Sequence, residues 1–266
     1  MASGYTNGFG NIILELGDAA TVPGELDFVA TGFNNTPYET TVMVLSPDGA
    51  YVIVESSSFT SGNGSNDDEV IQFGETVSLS LNLENVGNDV ANDVQVSISS
   101  DDSYISIISG TTSTSYIASD GTATVSGLEF VVSTAVPNEH DIELACSISA
   151  GGETWESNLN FTAYAPVIEV SSVIGSLDPG VSTSLEAHLL NTGGADIHSP
   201  MVSVVGDSYV TVNESSFTNA YVWDNGDEID NEEVLTLSVS VSPTTPIGHI
   251  AEFTVTVNSN QPPTTD

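Results

Sequence analysis

The sequence predicts an all-β protein of tandem β-sandwiches, and three observations carry that expectation. Short runs of Val, Ile, Thr and Ser alternate apolar and polar residues with a period of two. Gly, Asn, Asp and Pro separate these runs as turn residues. A stretch of about 90 to 100 residues recurs within the chain.

In chain order, strands are expected near Asn11 to Leu16, Glu25 to Ala30, Thr40 to Leu45 and Tyr51 to Val54, about half a sandwich. Val77 to Leu83 then alternates cleanly, with Val77, Leu79, Leu81 and Leu83 on one face and Ser78, Ser80 and Asn82 on the other. Val94 to Ile98, Leu235 to Val241 and Phe253 to Val257 repeat the pattern. Strands of this kind bury one face only, which calls for antiparallel sheets stacked face to face. No window of ten or more residues has a helical period, and the β-branched residues oppose one.

The repeat is marked by landmarks. Phe73-Gly74-Glu75-Thr76-Val77-Ser78-Leu79 with Leu83-Glu84-Asn85-Val86-Gly87 matches Asp178-Pro179-Gly180-Val181-Ser182-Thr183-Ser184-Leu185 with Leu189-Leu190-Asn191-Thr192-Gly193. Asp102-Ser103-Tyr104-Ile105 matches Asp207-Ser208-Tyr209-Val210, and Pro137-Asn138-Glu139-His140 matches Pro246-Ile247-Gly248-His249. In Asn-x-Gly the glycine is expected to supply positive φ where a strand closes, and the Pro fixes how the chain enters the next strand. The repeated His reads as a turn or edge residue packing its ring. The expected organisation is a partial or small β domain over 1–55, sandwiches over 56–165 and 166–260, and a linker or tail over 261–266. The first segment is either a small accessory sheet or the end of a domain whose open edge seeks a partner.

Charge narrows the function. The chain has 37 Asp plus Glu and no Lys or Arg, a formal net charge of −37. Nucleic acid is excluded as a partner, because neutralising phosphates needs Lys or Arg. An anionic membrane surface is disfavoured for the same reason. Apolar stretches such as Tyr51 to Val54 and Phe130 to Val132 fall far short of the roughly 20 residues that span a bilayer, so no membrane insertion is expected. Residues 1–17 show no signal peptide, so any export signal is expected to have been removed or to lie outside the sequence. Engineering, selection against proteases that cut after Lys or Arg, and selection for high salt or calcium would each explain the missing bases, and the first two are favoured.

The run Thr31-Gly32-Phe33-Asn34-Asn35-Thr36-Pro37-Tyr38-Glu39-Thr40-Thr41-Val42-Met43-Val44 resembles the end of the immunoglobulin-like domain that follows the catalytic domain of gingipain-type cysteine peptidases. Phe73 to Val77 and Asn85-Val86-Gly87 resemble the tandem modules appended to such secreted proteins in Bacteroidetes and related bacteria. The resemblance implies tandem immunoglobulin-like β-sandwiches, an extracellular or cell-surface location, and a non-catalytic piece of a larger protein. The peptidase's catalytic His and Cys motifs and the C-terminal sorting domain of type IX secretion are absent from this sequence.

The candidate for metal chemistry is calcium. Gly64 to Glu75 has the twelve-residue length of an oxygen-ligand loop, with Asn66, Asp68 and Glu75 at positions three, five and twelve. Gly64 in place of the first acid and Glu69 in place of the turn glycine depart from that pattern, and a solvated acidic turn is the competing reading. A second cluster, Asp224, Asp227, Glu228, Asp230, Glu232 and Glu233, matches no ligand spacing and reads as a solvated loop. No catalytic residue is expected. Acids fall in turns or on polar faces, no Gly-x-Ser-x-Gly elbow occurs, and His188 and His198 have no second His or Cys at zinc spacing. Cys146 shares the inward parity of Ile142, Leu144 and Ile148 and is expected as a buried thiol. Trp155 and Trp223 lie in different modules and read as core as readily as a carbohydrate platform.

Two roles follow: an extracellular spacer that resists proteolysis, or a surface adhesin or filament subunit whose partner is another copy of itself or a neighbouring domain of its parent.

Overall fold

The computed structural model describes residues 3–14, 24–33, 36–44, 48–61, 70–198, 200–217, 222–223 and 232–259, and all its regular elements are strands. The strand expected from Asn11 is absent over its described part, 11–14. Local bonding wins there: the Asn7 side chain accepts the N–H groups of Phe9 and Asn11 at 2.9 and 3.0 Å, bending the chain into a turn. Strands β1 (Gly24–Ala30) and β2 (Tyr38–Val44) form an antiparallel two-stranded sheet.

The described residues between 48 and 165 build the first sandwich. One sheet has the order β3 (Val52–Ser61), β5 (Thr76–Asn85), β9 (Gly121–Val132), β7 (Ile105–Ser109). The other has the order β4 (Ile71–Gln72), β11 (Glu153–Tyr164), β10 (His140–Ala150), β6 (Ala91–Ser99), β8 (Thr111–Ile117). The boundary expected near residue 55 falls inside β3, which pairs with β5 from Val52 onward. Strand β4 pairs parallel with the last strand, β11, while every other pair is antiparallel, the arrangement of an immunoglobulin-like sandwich. Burial alternates strictly along β5, and Val77, Leu79, Leu81 and Leu83 face Val94, Val96, Ile98, Ile142, Leu144, Cys146 and Ile148 in a closed core. At about 25 cal/mol per Å² each such Leu contributes roughly 2 kcal/mol, comparable with the cost of ordering its own residue.

The second sandwich has a sheet of order β12 (Ile168–Ile174), β13 (Ser182–Asn191), β18 (Glu232–Val241), β16 (Val210–Phe217). Opposite it lie two two-stranded pieces, β14 (Ile197–His198) with β17 (Val222–Trp223), and β15 (Pro200–Gly206) with β19 (Phe253–Ser259). Leu185, Ala187 and Leu189 from β13 and Leu235, Leu237 and Val239 from β18 form its core around Trp223. The chain is all-β, with immunoglobulin-like sandwiches in tandem. No described helix is long and apolar enough to cross a membrane.

Candidate functional site: polar clips repeated in both sandwiches

Asn85 ends β5 and is fully buried among apolar side chains, a position that demands complete hydrogen bonding. Its Oδ1 accepts the N–H of Tyr51 at 3.0 Å and of Gly87 at 3.1 Å. Its Nδ2 donates to the carbonyls of Asp89, Ile117 and Ala118 at 2.8, 3.1 and 3.2 Å. The matching Asn191 at the end of β13 repeats this. Oδ1 accepts Val167 N–H and Gly193 N–H, both at 3.1 Å, and Nδ2 donates to Ala195 at 2.9 Å. Backbone bonds tighten each latch, from Val86 N–H to Tyr51 at 2.9 Å and from Thr192 N–H to Val167 at 2.8 Å. In both copies the asparagine pins the chain segment that leads into its sandwich.

The glycines of these latches have a different reason from the expected one. Neither Gly87 nor Gly193 has positive φ. A Cβ at Gly87 would collide with the Gly49 carbonyl, and one at Gly193 with the Ala165 carbonyl, so close backbone approach requires them. Positive φ occurs instead in the Pro-x-x-His turns, at Glu139 (57°) and Gly248 (81°), which occupy the same place in the two copies.

The repeated His belongs to a second clip. Asp102 Oδ2 lies 2.7 Å from His140 Nε2, and Oδ1 accepts Tyr104 N–H at 2.9 Å. The Tyr104 and His140 rings meet edge to face at 5.0 Å. Asp207, Tyr209 and His249 reproduce it, with 2.7 Å between carboxylate and imidazole, 2.8 Å from Tyr209 N–H, and rings 4.7 Å apart. Burial pushes the Asp102 carboxyl up, but Tyr104 N–H, the His140 hydrogen bond and its charge outweigh that and hold it below the ordinary value. Tyr209 N–H, joined by Glu252 N–H and His249, carries Asp207 down to about 2 against the opposing effect of burial. Asp102 thus fastens its loop to His140, the first residue of β10, and Asp207 fastens its loop to His249, in the turn that precedes β19.

Between the sandwiches sits a residue whose role the sequence did not disclose. Asn138 Oδ1 accepts the N–H of Ala165 at 3.1 Å and of Gly194 at 2.9 Å. Gly194 lies where a Cβ would strike the Tyr164 ring, and Ala195, fully buried, belongs to the first core although it follows β13 of the second sandwich. In the second copy Ile247 stands where Asn138 does, and that mismatch within the repeat was the available signal.

Of the residues expected to hold calcium, Asn66 and Asp68 lie outside the described residues. Glu75 is fully buried and its Oε2 accepts Gln72 N–H at 2.8 Å. Asp224, Asp227, Glu228 and Asp230 also lie outside the described residues, whereas Glu232 approaches His188 Nδ1 at 3.3 Å and Glu233 is buried. Among the described residues no group of three or more His, Cys, Asp or Glu could hold a metal ion. Burial, with the nearby Glu156 charge, raises the Cys146 thiol to about 11, so it stays protonated and unreactive. Trp223 is core, while the half-buried Trp155 packs against Tyr51 with ring centroids 5.9 Å apart. His198 lies in β14.

No protein-family model matches the chain, and no curated relative matches it. The chain is similar to a solved protein of unknown function from Porphyromonas gingivalis W83, at 14% identity over 80% of this chain and 94% of that one, with a TM-score of 0.26. It is also similar to domains 4 and 5 of the S-layer protein SbsC, at 15% identity over 78% and 94%, with a TM-score of 0.26. The titin I-band fragment I67–I69 gives 10% identity over 85% and 66%, with a TM-score of 0.25.

Proposed function

We propose that the chain is a non-catalytic extracellular spacer, a run of immunoglobulin-like modules from a larger secreted protein of gingipain-like organisation. The observation that carries this reading is the junction between the sandwiches. Asn138, Asn191 and the buried Ala195 tie the second sandwich to the first through hydrogen bonds and shared core. A spacer must hold its ends at a fixed separation, and such a junction does so where a flexible linker would not. The direction is set by β5. Asn85 at one end holds the incoming segment, while Tyr164 lies at the other, beside Phe73. Ten residues of strand, about 33 Å, separate the two. Sites for proteases that cut after Lys or Arg are absent throughout the sequence. Calcium bound by Asn66, Asp68 and Glu75 belongs to this reading as a stabiliser.

Fluorophores placed on the first and second sandwiches test the spacer by single-molecule energy transfer. A narrow distance distribution is expected, broadened by Asn138→Ala with both unfolding midpoints kept near wild type. A broad distribution in the wild type would remove the spacer reading.

A further inference from the structure

The second sandwich has a place in its sheet that the first fills. By the repeat, β19 corresponds to β10, since each follows its Pro-x-x-His turn. Strand β10 has β6 on one side and β11 on the other, paired over its full length from His140 opposite Ala163 to Ala150 opposite Glu153. Strand β19 has β15 on one side and no neighbour on the other among the described strands. The consequence shows in burial. Ile142, Leu144, Cys146 and Ile148 of β10 are sealed, with Leu159 and Ala163 of β11 closing that flank. Phe253, Val255 and Val257 of β19, on the same parity and packed on the second core, are only half-buried, as are Val202 and Val204 of β15.

Edges left open are ordinarily guarded by charge. In a chain with 37 acidic residues, neither β15 nor β19 carries one, and Met201 and Val205 on their outer face are exposed.

The same chain carries a strand of the missing kind. Strand β2 leads into the first sandwich as β11 leads into the second: Gly49 and Tyr51 meet Asn85 and Gly87 as Ala165 and Val167 meet Asn191 and Gly193. It is therefore a last strand by position, and its partner β1 stands where β10 would. Both β2 and β19 are seven residues long. Leu26, Phe28 and Ala30 sit opposite Val42, Thr40 and Tyr38, so one face of the β1–β2 sheet is largely apolar, and Tyr38 and Val42 are 63% and 54% exposed.

We propose that β19 is an assembly edge, occupied by the β1–β2 hairpin of a second copy of this chain, with β2 adding antiparallel to β19 and the hairpin's apolar face covering the second core. The chain's own hairpin is poorly placed to do this. It joins the first sandwich at the Asn85 end of β5, whereas the second sandwich joins at the opposite end, about 33 Å away. Each copy then offers a hairpin at one end and an acceptor edge at the other, so the contact is head to tail and extends the chain of modules. Two polyanions must approach, so added salt strengthens the contact by screening. The inference goes beyond the spacer reading and does not depend on it, because strand addition requires no rigid junction.

The test is light scattering on the full chain in 0.5 M NaCl, a salt level chosen from the Debye argument, with hydrogen exchange read at β19. A small interface of this kind predicts mass rising to two or more copies between about 1 and about 100 µM. Protection of β2 and β19 amides rises with it. Val42→Asp with Phe28→Asp, in a hairpin that belongs to neither core, is expected to return the chain to one copy and leave both sandwiches folded by their tryptophan signals. A chain that stays monomeric throughout overturns the proposal. So does assembly that survives the double variant, which would point to β19 pairing with itself, or β19 protection in the monomer, which would mean a segment of the same chain covers it. Failure of the spacer reading shows separately, as a broad distance distribution in the monomeric variant.

Discussion

Asn191 is a polar side chain held where water cannot reach, and its replacement exposes what it satisfied. Asn191→Ala leaves the N–H groups of Val167 and Gly193 and the Ala195 carbonyl without their partner. A loss of about 2 to 3 kcal/mol in the second sandwich is expected, at the usual cost of buried unpaired groups. Denaturant unfolding followed by Trp223, fully buried in that core, reads it, and an unchanged midpoint would refute the latch. Asp207 makes a prediction in pH. Its folded value, about 2, lies below the ordinary carboxylate value of 3.8. The stabilisation is therefore complete above about pH 4 and is lost as pH falls toward 2. Acid titration of wild type against Asp207→Asn should show the wild-type advantage vanish in that window. These residues were partly legible. The Asp-x-Tyr and His landmarks stood out as a repeat, but their pairing joins segments far apart in sequence. The reason for Gly87 was not legible at all, because the carbonyl it must admit belongs to Gly49, in an earlier segment.

Elements were readable wherever one face is buried and the other wet. Strands β5, β10 and β18 announce themselves because every second side chain enters a core. The expected strand from Asn11 fails because a single side chain, Asn7, offers the backbone a competing turn. The β6 counterpart runs as β14 and β15, which pair with different strands, and Pro200 at the start of β15 is the local signal for it. The turns before β10 and β19 make a further prediction. Gly248 holds a φ of 81° that a side chain adopts only with strain. Gly248→Ala should cost the second sandwich about 1 kcal/mol, measured by the same denaturant curve, whereas an equal or higher midpoint would contradict the turn geometry.

At the scale of the molecule, charge opposes compactness. With a net charge of −37 and no internal bases beyond four histidines, self-repulsion is relieved only by solvent ions. Thermal melts should shift upward by about 4 °C or more between 10 mM and 0.5 M NaCl, corresponding to roughly 1 kcal/mol of relieved repulsion. If the Asn66, Asp68 and Glu75 set binds calcium, millimolar calcium raises the melt beyond an ionic-strength match and chelator reverses it. Identical curves would remove that ligand set. Composition and periodicity exposed the tandem sandwiches, yet they could not expose the junction, since Asn138, Tyr164 and Gly194 come from three segments separated in the sequence.

The fixed relation between the two sandwiches is the claim on which the spacer reading turns. Residual dipolar couplings of backbone amides, measured in the monomeric hairpin variant, test it directly. One alignment tensor should fit the couplings of both sandwiches, with Asn138→Ala splitting it into two. Two unequal tensors in the chain with Asn138 intact would contradict it.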